Sequence, residues 1–103
     1  MAMFLVERRR SGPEWDAKRP MEEQAGWAEH AAFMDSLVES GFVVLGGPLE
    51  DERRVALAVE TGSADDVRST LAADPWSGTH LSDPTVEVWT IRLDGRKRPE
   101  RTR

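Results

Sequence analysis

Apolar and polar positions along this chain follow two different periods, and the switches between them mark the elements. Ala2 to Val6 is a short continuous apolar run, the pattern of a strand buried on both faces. Arg8 to Arg19 is polar and contains Gly12 and Pro13, which predicts a loop. From Met21 to Ser40 the period becomes helical. Trp27, Ala31, Met34 and Val38 recur at helix spacing, with Phe33 and Leu37 beside them. Pro20 suits the first turn of that helix and Gly41 suits its end. Phe42 to Leu45 predicts a second strand, broken by Gly46-Gly47-Pro48. Arg54 to Glu60 predicts a third, with Val55, Leu57 and Val59 on one side and Ala56 and Ala58 on the other. Ser63 is a helix N-cap residue, and Asp65 and Asp66 suit the positive end of a second helix. Ala64, Val67 and Leu71 mark its inner face, and Asp74-Pro75 stops it. Ser77 to Pro84 is a loop, and Thr85 to Leu93 predicts a fourth strand.

The order strand, helix, strand, strand, helix, strand is that of an α+β, ferredoxin-like βαββαβ domain. It has a four-stranded antiparallel sheet with two helices on one face. Residues 1–93 form this domain, and 94–103 form a basic, flexible C-terminal tail carrying Arg96, Lys97, Arg98, Arg101 and Arg103. Several strands are apolar on both sides, yet two helices cover only one. The uncovered face therefore predicts a second copy of the chain as partner; the alternative cover is the loop carrying Trp15.

Composition narrows the function classes. A net charge of −5 argues against non-specific nucleic-acid binding. The chain has no cysteine, so disulfides, thiolate metal sites and cysteine nucleophiles are excluded, and a reducing cytoplasm fits. No apolar run approaches the roughly 20 residues that span a bilayer. The N-terminus is apolar first and charged after, the reverse of a signal peptide. No metal-ligand cluster and no nucleotide fingerprint appears, so neither a metal nor another cofactor is expected.

The chemistry-bearing candidates are few. His30 lies on the stripe of Trp27 and Met34, where its neighbours are apolar. Asp74 continues the inner face of the second helix and can approach His30 across the helix pair. A His–Asp pair fixes the imidazole tautomer and raises the basicity of the outward nitrogen. The competing readings are a satisfied core histidine and an aspartate that shapes a helix-stop turn. His80 sits among Thr79 and Ser82 and reads as a solvated loop residue. Trp27, Gly46, Gly47, Pro48 and Trp76 are the candidate ligand-binding residues. The glycines permit close backbone approach, and the indoles offer flat walls.

His30-Ala31-Ala32-Phe33-Met34 with Leu37 and Gly41, then Leu45-Gly46-Gly47-Pro48, then Asp74-Pro75-Trp76 together resemble the pattern of the YCII-related (YciI-like) family. The resemblance runs from Met3 to about Leu93. It implies a dimeric α+β barrel and an active site built on the histidine and aspartate, here His30 and Asp74. It also implies a cofactor-independent lyase or dehydrochlorinase-like activity on a small aromatic or cyclic molecule. Many relatives place an arginine three residues before the histidine, where this chain has Trp27, and a hydroxyl residue near the position of Leu45. Arg8 and Arg19 are the candidate substitutes for that arginine. Without the arginine and the hydroxyl, a non-catalytic dimeric module that binds a small ligand stands as the alternative.

Overall fold

A computed structural model of the chain describes residues 1–97. Four strands, β1 (Ala2–Arg9), β2 (Val43–Pro48), β3 (Arg54–Thr61) and β4 (Thr85–Val88), form one antiparallel sheet in the order β2-β3-β1-β4. Helices α1 (Trp27–Glu39) and α2 (Ala64–Ala72) connect them as the ferredoxin-like order requires. β1 pairs with β3 along its whole length, Ala2 opposite Thr61 and Arg9 opposite Arg54, and with β4 from Phe4–Val88 to Glu7–Thr85.

Alternation along β1 decides the two sides of the sheet. Phe4 and Val6 point to the helical side with Leu57 and Val59 of β3, where Leu37 of α1 and Val67 and Leu71 of α2 meet them. Both helices therefore pack on one face. Burying each such side chain is worth about 1.5–3 kcal/mol. The other face carries Leu5, opposite Ala58, which in turn lies opposite Leu45; Glu7, Glu60 and Glu87 flank them. Leu5 is 37% and Leu45 63% exposed, so no element of the described chain covers this side. The loop carrying Trp15 turns to the helical side instead, where the indole packs edge-on against Trp76 at 5.8 Å.

Ser63 caps α2, accepting from the Asp66 N–H at 3.1 Å. The segment Met21 to Ser40 is not one helix. A 3-10 turn at Met21–Glu23 ends before Gly26, whose φ of 78° starts α1 at Trp27. Gly46-Gly47-Pro48 does not break β2 but ends it, opposite Leu57, Ala56 and Val55. Proline is tolerated there because β2 is an edge strand. β1 runs three residues further than its apolar pattern, to Arg9, and β4 stops at Val88, followed by one more ladder bond from Trp89 N–H to Met3 O. Of the basic tail, Gly95–Lys97 forms a 3-10 turn, and residues 98–103 lie outside the described residues. Among the described residues no helix is long and apolar enough to cross a membrane.

Candidate active site

α1 has one edge in the core and another on open space. Its His30 and Leu37 are buried, while Trp27, Ala31, Met34 and Val38 turn to a cleft of about 670 Å³ between the helix and β2. The helical stripe read from the sequence thus faces this cleft more than the core. Gly46 makes room on the opposite wall. A β-carbon there would fall 2.4 Å from Leu57 Cδ2 and 3.1 Å from Ala56 O, so glycine lets Leu57 lie across the strand. Arg8, Asp74 and Trp76 form the buried part of the cleft.

Asp74 sits just past α2, in the turn that Pro75 imposes, and its side chain is only 1% exposed. Its Oδ1 accepts from the Trp76 backbone N–H at 2.9 Å and lies 2.8 Å from His30 Nδ1. A carboxylate only accepts, so Nδ1 carries the hydrogen and donates it. In the neutral ring Nε2 then presents a lone pair, and no protein group among the described residues bonds it. His30 is 9% exposed and lines the cleft, so that lone pair belongs to a ring within reach of a ligand.

Arg8 lies on the inward register of β1, next after Phe4 and Val6, and is 3% exposed. Its Nε donates to Ser82 O at 2.9 Å and its Nη2 to Ser77 Oγ at 2.9 Å. Nη1 is 3.8 Å from Asp74 Oδ2, an ion pair too long for a hydrogen bond, and among the described residues both atoms lack a hydrogen-bond partner. Burial pulls the Arg8 guanidinium below its ordinary pKa, against the raising pull of Asp74 and Asp83.

The imidazole plane is set by aromatic packing. His30 stacks on Trp76 with ring centroids 4.0 Å apart and planes 7° from parallel. His80 stacks on the same indole at 4.7 Å and 22°. Two rings cannot share one face at those separations, so Trp76 is held between the two histidines. Its Nε1–H donates to Ala25 O at 2.9 Å, which also fixes the chain entering α1. Trp27 leans on both His30 and Trp76 at 5.9 and 5.8 Å.

Trp27, Gly46, Gly47, Pro48 and Trp76 all line the cleft, together with His30 and Asp74. His80 is not solvated: it is 3% exposed, Thr79 Oγ1 lies 2.9 Å from its Nδ1, and its Nε2 has no partner among the described residues. Its burial depends on Trp15 and Trp76, which its polar neighbours in sequence do not reveal. Arg19 pairs with Asp16 in the loop and does not line the cleft, whereas Arg8 and Arg10 do. The parity of β1, had the strand been extended past Val6, carries the signal for Arg8. Among the described residues no group of three or more His, Asp or Glu side chains could hold a metal ion.

No protein-family model matches this chain, and no curated protein matches it. Among solved structures it is similar to 5-chloro-2-hydroxyhydroquinone dehydrochlorinase (TftG) from Burkholderia phenoliruptrix AC1100, solved in complex with 2,5-dihydroxybenzoquinone. The match covers 85% of this chain and 93% of that one, with a TM-score of 0.57 and 24% identity. The two proteins share a fold. That agrees with the sheet order and helix placement found here.

Proposed function

We propose that the cleft is the site of a cofactor-independent lyase or dehydrochlorinase-like enzyme acting on a small aromatic or cyclic molecule. His30 is the base and Asp74 orients it. One observation carries the reading: His30 is tied through Nδ1 to a buried carboxylate at 2.8 Å, while Nε2 is unbonded on a ring that lines the cleft. That is the arrangement a general base needs. An elimination of HCl sends one proton to such a base and lets chloride leave with its bonding pair, so it needs no oxidant. Trp27 offers flat surface for a ring, Trp76, both faces covered by the histidines, borders the cleft by an edge, and the backbone of Gly46 and Gly47 forms the facing wall. The shared fold with a dehydrochlorinase of a hydroxylated ring supports this choice of reaction class.

The reading includes a homodimer, in which a second copy covers the sheet face bearing Leu5, Ala58 and Leu45, and a cytoplasmic location, which suits a chain without cysteine. The test is chloride release from 5-chloro-2-hydroxyhydroquinone under anaerobic conditions, with wild-type protein and His30→Gln. Release above the uncatalysed rate is expected, with a loss of about 10²–10⁴-fold in the variant. Full activity in His30→Gln would remove His30 as the base. If 2,5-dihydroxybenzoquinone quenches the tryptophan fluorescence but no ring substrate turns over, the protein is instead a non-catalytic binding module.

A further inference from the structure

We infer that His80 is a positioning residue for the base: from behind Trp76 it holds the indole against His30, and so holds the imidazole in the plane in which it lines the cleft. The inference rests on His30 being the base, as proposed above, and adds the residue that keeps it aimed.

The bond to Asp74 does not by itself fix the imidazole. It ties Nδ1 at 2.8 Å. The second side-chain torsion of a histidine is broad, however, and a hydrogen bond tolerates roughly 30° of misalignment. A swing about that tie displaces Nε2, which lies on the other edge of the ring. The indole removes this freedom, because the two rings lie 4.0 Å apart and within 7° of parallel. Trp76 is therefore the plate that sets the plane of His30.

That plate needs a backing. Trp76 Nε1–H donates to Ala25 O at 2.9 Å, which anchors one edge and leaves the indole able to tilt about it. His80 closes off the tilt from the other face, at 4.7 Å and 22°. Its own ring is tied. Thr79 Oγ1 lies 2.9 Å from its Nδ1, its backbone N–H donates to Trp76 O at 3.1 Å, and Trp15 stands edge-on to it at 6.3 Å. Packing alone does not call for a histidine here. The residue is 3% exposed, and among the described residues its Nε2 has no partner. A leucine would fill the space without burying a bare nitrogen. What a leucine lacks is a flat face tied at its edge. Buried behind the indole, His80 touches no ligand and acts through Trp76 alone.

The test reads the plane of His30 without substrate, so it is independent of turnover. Protons that lie over an indole are shifted upfield by its ring current. The carbon-bound ring protons of His30, assigned by their loss in His30→Gln, are expected to carry that shift in the wild type. His80→Leu should remove most of it while the amide signals of the sheet stay in place. His80→Phe, which keeps a flat ring, should restore it. If His80→Leu does not fold, Thr79→Val carries the test: it removes the tie to Nδ1, and a smaller loss of the same shift is expected. Where turnover is measured, kcat should fall about 10- to 100-fold in His80→Leu with KM unchanged, and return toward the wild type in His80→Phe. Unshifted His30 protons in the wild type, or a shift that survives in both His80→Leu and Thr79→Val, would overturn the inference and leave His80 a core residue. A loss that His80→Phe does not restore would overturn it too, since the flat face would not be what counts. If the shifts behave as expected but no ring substrate turns over, His30 is not a base, and the positioning of its ring by His80 stands.

Discussion

Asp74 serves three neighbours at once, and that decides how it should be probed. It holds His30, accepts from the Trp76 N–H and balances the charge of Arg8. From the sequence, Asp74→Asn looks like a mild change that spares the fold. In the structure it leaves the Arg8 guanidinium buried with only the exposed Asp83 as a counter-charge, which costs about 3 kcal/mol. The melting temperature of Asp74→Asn should therefore fall by more than about 10 °C. Adding Arg8→Met should restore part of that loss, because removing both members of a buried pair costs less than removing one. His30→Gln is the cleaner probe of catalysis and should melt near the wild type. The approach of His30 to Asp74 was legible because both sit on inward helix positions of a recognisable helix pair. Arg8 and His80 were not. Arg8 looked like the start of a loop, and the burial of His80 depends on tryptophans distant in sequence.

The elements are bounded by contacts as much as by local preference. Gly26 illustrates this: a single glycine is tolerated inside a helix, so its sequence context predicts one helix from Met21. What ends the first turn is the packing of Trp76, whose Nε1 would lie 3.3 Å from a β-carbon at Gly26. Gly12 plays a similar part between the two loops. A β-carbon there would fall 2.3 Å from Thr79 O, where Gly12 N–H and Glu14 N–H also bond the carbonyls of His80 and Thr79. Gly12→Ala should therefore destabilise by about 1–3 kcal/mol or more, since backbone must move. Gly47→Ala, with nothing within 4 Å of the added carbon, should cost far less. Parallel urea melts of the two variants check this. The turn before β3 has its own pH signature. Asp51 accepts from the N–H groups of Arg53 and Arg54 and from Arg54 Nε, which hold its carboxyl down to about 2. Its contribution is present above the ordinary aspartate pKa of about 3.9 and is lost as pH falls through about 2. Amide exchange at Arg53 and Arg54 should accelerate over that interval and not in Asp51→Asn.

At the scale of the whole molecule, the order of elements was the most legible feature, because each switch of period is punctuated by Gly, Pro or a capping serine. The sheet face left without cover was legible too. The loop carrying Trp15 does not reach it, so a second copy is the proposed cover. Light scattering on a sizing column should report twice the 11.6 kDa chain mass. Leu5→Arg should return the mass to one chain without disturbing the cleft, because Leu5 points to the opposite side of the sheet from Val6. A wild-type monomer at micromolar concentration would remove the dimer. The distances in sequence between the site residues bear on how the protein comes into being. His30 and Asp74 are 44 residues apart, and Arg8 reaches Ser82 across 74. Contacts of such separation form late, after the intervening chain has closed its loops. A nascent chain still lacking the segment after α2 has a helix and a histidine but not the carboxylate that orients the ring. Ligand binding regained during refolding should thus rise together with the final, global step and never ahead of it.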